Sequence, residues 1–234
     1  MEDFIRNYKV YVITLVVVIV LFFILSILNL LNKNDTSKEF KHSDYIKTID
    51  TVDNKDEKSK LPYINIKSNE VKKINNQISE LFYDITNYET NSFTYEYFVN
   101  DDIVSLLIKI KKIDETNVLL MNESYISYNI DIKNKKQISN DELLSKYNVT
   151  YDTINNMIDE RMRNFYNFEI ENGYIDEECD YEGYLGWRNI TLPTNDIALI
   201  VDNNNLYAYK LFELDTIFED SKLFKDDDFK YKLS

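Results

Sequence analysis

The feature that most restricts the fold of this chain is an uncharged segment close to its start. Residues 10–31 carry no charged side chain, and their polar interruptions are Thr14, Ser26 and Asn29. At 1.5 Å per residue, a helix of this length spans roughly 33 Å, enough to cross a hydrocarbon core of about 30 Å. The segment is longer than the apolar part of a typical cleaved signal peptide, and no small-residue cleavage site comes after it. The pattern therefore predicts an uncleaved signal anchor, a single transmembrane helix.

The flanks of this segment predict how the rest of the chain is divided. Residues 1–9 make a short tail, and residues 32–60 are polar, with seven lysines balanced by seven acidic residues. That composition is typical of a flexible stalk. Pro62 opens a region of patterned apolar residues, so we expect a folded domain over 61–212 and a charged tail over 213–234. Basic residues flank the anchor on both sides, and the positive-inside rule alone leaves the orientation open.

The composition argues against several kinds of site. The chain has one His, His42, and one Cys, Cys179, whereas zinc sites and Ser–His–Asp triads need more such ligands or a His within the folded region. Three glycines leave no phosphate-cradling loop, and we expect no cofactor. The 27 basic and 41 acidic side chains give a net charge of −14, which is unfavourable for binding nucleic acid. Residues 164–234 are the acidic part, with six basic and sixteen acidic side chains.

Apolar periodicity predicts the secondary structure of the folded domain. Alternation of apolar and polar residues indicates an antiparallel meander with one buried face, over residues 93–97, 103–110, 118–121 and 125–132. Helical spacing comes after three N-cap signals, at Ser68, Ser139 and Thr150. A closing hairpin is expected over residues 194–212, with Asp202 and three asparagines at its turn. The predicted fold class is α/β (α+β): an antiparallel sheet packed with two or three helices, preceded by the transmembrane helix.

Several of these segments resemble a known family in their order and spacing. The residues that carry the resemblance are Leu61–Ile64, Ile74-Asn75 with Ile78, Asp102–Leu106, Tyr128–Ile132, Lys135-Lys136, Ile138–Leu144 and Tyr147. Together they look like the extracytoplasmic region shared by the anti-sigma factor RsiV and the peptidoglycan deacetylase PdaC, over roughly residues 61–166. The family usually has a glycine in the turn before Lys135, so here Asn134 is expected to adopt the left-handed conformation.

The resemblance implies an α/β domain outside the membrane of a Gram-positive bacterium, a Firmicute. In RsiV the corresponding region recognises lysozyme and signals to a cytosolic anti-sigma segment. In this chain, the nine residues before the anchor are too few to form such a segment. In PdaC a metal-dependent deacetylase domain comes next, and a single His is incompatible with that chemistry. What the resemblance leaves is an ectodomain on a membrane anchor.

One segment of the acidic part holds the candidate site residues. Asp176, Glu177, Glu178 and Asp180 are hard oxygen donors at short spacing, which is compatible with Ca²⁺ but lacks the alternation and central glycine of an EF-hand. The other interpretations are a solvated loop or a contact surface for a cationic protein. The neighbouring candidates for partner binding are Tyr181, Glu182, Tyr184 and Trp187, for which core or loop packing is the alternative. Asp226-Asp227-Asp228 is interpreted as a solvated tail.

The sequence is compatible with three hypotheses for function. The first is a single-pass, cell-surface binding or sensing domain without enzymatic activity, whose acidic half attracts a cationic protein such as lysozyme. The second is an envelope enzyme or accessory that acts on peptidoglycan through a carboxylate pair. The third is a structural subunit of a membrane complex. No pair of the many carboxylates stands out as catalytic, and we expect the first.

Overall fold

The structure is a computed structural model, and it describes residues 44–54, 57–113, 121–176, 178–188, 190–210 and 230–234. These residues belong to one compact unit, His42–Ser234. None of the helices in these ranges is long and apolar enough to cross a membrane. The predicted anchor over residues 10–31 lies outside the described residues, and so do the N-terminal tail, His42 and Asp226-Asp227-Asp228.

Within those ranges the chain forms three antiparallel sheets and four helices. The first sheet pairs β1 (Ile46–Asp53) with β2 (Lys58–Ile64). The central sheet has the order β3 (Ser92–Val99), β4 (Ile103–Ile113), β5 (Met121–Asp131) and β6 (Lys136–Ile138). The third has the order β7 (Ala198–Asp202), β8 (Asn205–Tyr209) and β9 (Lys230–Lys232). The helices are α1 (Asn69–Thr86), α2 (Asn140–Tyr147), α3 (Tyr151–Glu171) and α4 (Tyr181–Trp187). The predicted mixture of helices and antiparallel strands is confirmed. The described strands form three sheets rather than one, and the described helices number four rather than the two or three expected.

Two predicted boundaries need correction. Strand β1 and the start of β2 fall within the expected stalk over residues 32–60, and β9 falls within the expected tail over 213–234. Most side chains of β1 are exposed, so its sequence lacks the apolar periodicity from which a strand is predicted. Its backbone pairs with β2 nevertheless, and Ile46 at its start is buried with Leu61 and Ile64.

Helix α1 seals one face of the central sheet. Ser68 begins the helix, where its side chain accepts a hydrogen bond from the backbone of Val71, and the apolar stripe of α1 packs against β3 and β4. Phe82 of α1 and Phe93 of β3 are fully buried and meet edge to face, with ring centroids 5.3 Å apart. Buried Asn75 holds β2 to the helix, because its side chain both accepts from the Ile64 N–H (2.9 Å) and donates to the Ile64 carbonyl (3.0 Å).

The opposite face of the central sheet is covered in part by the third sheet. Leu107 packs there with Ala198, Ile200 and Tyr209, so β4 is buried on both faces and the prediction of one buried face is wrong. The free edge of β7 is satisfied by polar side chains of the central sheet. Asn129 donates to the Leu199 carbonyl (2.8 Å), and the hydroxyl of Ser105 accepts from the N–H of Val201 (2.9 Å). The apolar–polar alternation did not predict this contact, because Ser105 and Asn129 lie on the face of the sheet that was expected to be exposed to solvent.

The far side of the third sheet packs on α2, α3 and α4. Short sequence motifs determine where α2 begins and how two of the turns are formed. The capping box of Ser139 and Glu142 is present at the start of α2. The β7–β8 turn forms as predicted, with positive φ at Asn203 and Asn204. In the turn before β6 the left-handed residue is Lys135 (φ 56°), not Asn134. Asp131 accepts hydrogen bonds from both the backbone and the side chain of Asn134 at 2.7 Å, which holds Asn134 in the preceding position.

Candidate functional site

The candidate partner-binding residues lie on α4 and the loop that leads into it from α3. Asp180 is the N-cap of α4, since its Oδ1 accepts a hydrogen bond of 2.7 Å from the N–H of Gly183. Gly183 has little room for a side chain, because a Cβ there would lie 3.1 Å from that carboxylate. The apolar stripe of α3, which includes Ile158, Met162 and Phe165, is buried in the core that this loop covers.

A buried ion pair joins the ends of the two helices. Nη2 of Arg188, the residue after α4, lies 2.7 Å from Oε1 of Glu169 near the end of α3, and both side chains are almost fully buried. The ring of Tyr184 lies beside them, 5.6 Å from the Arg188 guanidinium carbon. Burial, together with the smaller effect of the negative charge of Glu169, raises the pKa of Tyr184 to about 12. Loss of either partner of such a pair leaves an uncompensated buried charge, so the pair fixes the position of α4.

A second polar group ties the start of α4 to the middle of α3. The hydroxyl of Tyr181 donates to Oδ1 of Asp159 (2.9 Å), and Arg163 bonds the other oxygen of that carboxylate at 2.8 Å. The Arg163 guanidinium also lies 4.0 Å from the centre of the Tyr181 ring. Partial burial acts to raise the pKa of Asp159, but the hydrogen bonds from Arg163 and Tyr181 outweigh it and the pKa is lowered. Burial and the bond to Asp159 raise the pKa of Tyr181.

The structure separates the four predicted partner-binding residues by exposure. Tyr184 is fully buried and Tyr181 is partly buried, so for Tyr184 the alternative of core packing is correct. Glu182 is exposed, and Trp187 is 58% exposed. The Trp187 ring lies on the buried guanidinium of Arg188, 4.4 Å from its centre to the guanidinium carbon. Sequence reasoning could not distinguish these aromatics, because α4 is too short for its period to assign a buried side.

In the acidic loop before α4, two carboxylates accept hydrogen bonds from backbone N–H groups nearby in sequence. Asp176 accepts a hydrogen bond of 2.9 Å from the N–H of Glu178, and Asp180 is occupied as the N-cap. Glu177 lies outside the described residues. Where the chain is described, no group of three or more His, Cys, Asp or Glu side chains is arranged to hold a metal ion. Asp176, Glu178 and Asp180 are exposed, and Tyr174 at the start of the loop is 56% exposed.

A second site, a cavity, was not predicted. A cavity of about 600 Å³ opens on the part of the central sheet that the third sheet leaves uncovered. Five lysines from three strands line it: Lys58, Lys60, Lys109, Lys111 and Lys230. The spacing of Lys58 with Lys60, and of Lys109 with Lys111, could have indicated two rows of cations, since residues two apart in a strand share a face. Only the fold brings the rows together.

Comparisons with known proteins do not assign either site. The chain matches no protein-family model, and no curated protein sequence matches it. A function for either site therefore has to be argued from the geometry and charge of the site itself.

Proposed function

We propose that this chain is a binding domain held at a membrane by its N-terminal apolar segment, and that it recognises a cationic protein without catalysing a reaction. One observation carries the proposal. Trp187 is largely exposed while its ring lies on the buried Arg188 guanidinium, and the segment that precedes it in sequence carries exposed carboxylates at Asp176, Glu178 and Glu182.

The chemistry of this surface suits a basic protein partner. Carboxylates accelerate encounter with a cationic protein through long-range attraction, and salt weakens that attraction. Tryptophan and tyrosine are enriched among the residues that contribute most to binding energy. Because the Glu169–Arg188 pair holds the end of α4, Trp187 loses little conformational freedom on binding, and this lowers the cost of association.

The resemblance to the RsiV and PdaC ectodomain suggests the first partner to test. It implies that the domain faces the outside of a Gram-positive cell, where lysozyme is a cationic protein it would meet. We propose lysozyme as a representative of that class of partner. The exposed carboxylates that precede Trp187 in sequence support a basic partner of any identity.

The experiment measures binding of the full-length chain, in a mild non-ionic detergent, to lysozyme by isothermal titration calorimetry at about 50 and 300 mM NaCl. We expect binding that weakens as salt rises. Trp187→Ala is expected to weaken it by about 30-fold, the effect of losing a central aromatic contact. The matched control is Tyr88→Ala, which removes another exposed aromatic (56% exposed) far along the chain from α4.

Three results would contradict the proposal. One is no binding at either salt concentration, and another is an equal loss in the Trp187→Ala and Tyr88→Ala variants. The third is release of soluble fragments when the chain is incubated with peptidoglycan, which would instead support the hypothesis of an envelope enzyme.

A further inference from the structure

The lysine-lined cavity lies apart from α4 and has its own structural basis. Strands β3, β4 and β5 contribute its floor, and Lys230 of β9 and Tyr209 of β8 border it. Its volume of about 600 Å³ falls in the range of pockets that hold small molecules, roughly 300–1,000 Å³. The cavity is therefore large enough for a ligand of several charged groups.

The registers of the strands explain why the lysines converge. Lys109 and Lys111 are two residues apart in β4, on the side opposite to the one covered by α1, so their side chains succeed each other at about 7 Å. Lys58 and Lys60 have the same spacing in β2. This strand lies along β3, where the hydroxyl of Ser59 accepts a hydrogen bond of 3.0 Å from the Phe93 N–H. Two rows of ammonium groups thus flank the same stretch of β3.

The fifth lysine is held in place by aromatic rings. Nζ of Lys230 lies 4.3 Å from the centre of the Tyr207 ring and 5.6 Å from that of Tyr209. Contacts of a cation with ring faces are attractive and favour one position of the side chain. Lys230 therefore presents its charge at the border of the cavity from a defined direction.

The charge of the cavity is opposite to that of the chain. The whole sequence carries −14, yet the five lysines of the lining outnumber its two carboxylates, Glu57 and Glu96. Lys58 also contacts the exposed Asp53 at 3.2 Å, a surface pair of little strength. An anion that binds in a concave site lined by several lysines is attracted by more than one cation at once.

We propose that this cavity binds a small polyanion, a molecule with two or more phosphate or carboxylate groups. All the cations of its described lining are lysines, which act as compact point charges and bind phosphate without the planar, two-bond geometry of arginine. The site therefore selects its ligand by charge density and size. This binding is separate from the proposed recognition of a cationic protein, which uses α4.

The experiment titrates the full-length chain with inorganic tripolyphosphate and, in a parallel arm, with citrate, by calorimetry in low salt. Tighter binding of tripolyphosphate would assign the site to phosphate ligands, and tighter binding of citrate would assign it to carboxylates. The variant Lys109→Gln/Lys111→Gln is expected to weaken binding by tenfold or more. Lys60→Gln, at an exposed position of β2, is a second variant that leaves the central sheet unchanged, with an expected loss of about threefold.

The matched control is Lys72→Gln/Lys73→Gln, which removes the same charge from exposed positions of α1. We expect this variant to bind both anions within twofold of the unchanged chain. Absence of binding to either anion, or an equal loss in the α1 control, would overturn the proposal. The outcome is independent of lysozyme binding, so failure of one proposal does not decide the other.

Discussion

The two faces of the central sheet are built from the same strands, but one is apolar and covered whereas the other is polar and partly open. On one face, α1 and the β1–β2 pair bury an unbroken apolar surface that includes Phe93, Leu106 and Ile108. On the other face, Ser105 and Asn129 hold the edge of β7 at one end, and lysines line an open cavity at the other. The first face therefore supplies stability, whereas the second supplies a docking edge and a binding surface.

The largest effect is expected from the sealed face. Phe93→Ala removes a fully buried ring that meets Phe82, and we expect it to lower the free energy of unfolding by about 3–5 kcal/mol. Urea unfolding followed by circular dichroism measures this. Tyr88→Ala, at an exposed aromatic, serves as the control and should change stability by less than about 0.5 kcal/mol. Equal losses of stability in the two variants would contradict the claim that the face covered by α1 supplies most of the stability.

A smaller effect is expected where the second face holds β7. Asn129→Ala removes the donor to the Leu199 carbonyl and the acceptor of the hydrogen bond from Ser105, which is 2.6 Å long. Unpaired buried groups of this kind cost about 1–3 kcal/mol, and we expect a loss of that size in urea unfolding. In a double-mutant cycle with Ser105→Ala, the two losses should not be additive, because both residues belong to one network. Additive losses would show that the network is not a unit.

The end of β5 is expected to make stability depend on pH. The backbone N–H of Asn134 is the main cause that lowers the pKa of Asp131 below its ordinary value of 3.8. In acid the unfolded chain therefore takes up a proton at Asp131 before the folded chain does, so this contribution to stability is present above that ordinary pKa and is lost as the pH falls below about 4. Asp131→Asn should make the urea midpoint less sensitive to pH between about 5 and 3. An unchanged pH profile would contradict this role.

The smallest effect on stability is expected from the lysines of the cavity. Lys109→Gln/Lys111→Gln removes two charges at partly buried positions and keeps most of the aliphatic part of each side chain, so the free energy of unfolding should change by less than about 0.5 kcal/mol. Urea unfolding in low salt without added anion tests this, with Lys72→Gln/Lys73→Gln as the comparison. A loss as large as that of Phe93→Ala would mean that the open part of the second face is structural.

The elements that could be predicted are those whose signals are local. Ser68 and the stripe from Val71 to Ile85 define α1 within one stretch of sequence, and the asparagines at 203 and 204 define the β7–β8 turn. Strand β1 was missed because its order depends on pairing with β2 rather than on its own side chains. The polar contact of Ser105 and Asn129 was missed for a related reason, since its partners lie about 70 to 100 residues away.

The candidate sites also differ in whether their residues are close together in sequence. The acidic loop before α4 could be found because its carboxylates are contiguous in sequence. Which aromatic of α4 faces solvent depends on the pairing of Arg188 with Glu169, which the sequence does not show. The cavity joins residues 58 and 60 to 109, 111 and 230, so its charge becomes visible only when three distant strands are brought together.

The most direct test of the contrast between the two faces is lysine acetylation of the full-length chain, quantified by mass spectrometry with and without tripolyphosphate. We expect slower acetylation in its presence at Lys60, Lys109 and Lys111, with Lys72 and Lys73 of α1 unchanged. Protection spread evenly over these five lysines, or none at the cavity, would contradict the assignment of the open part of the second face to ligand binding.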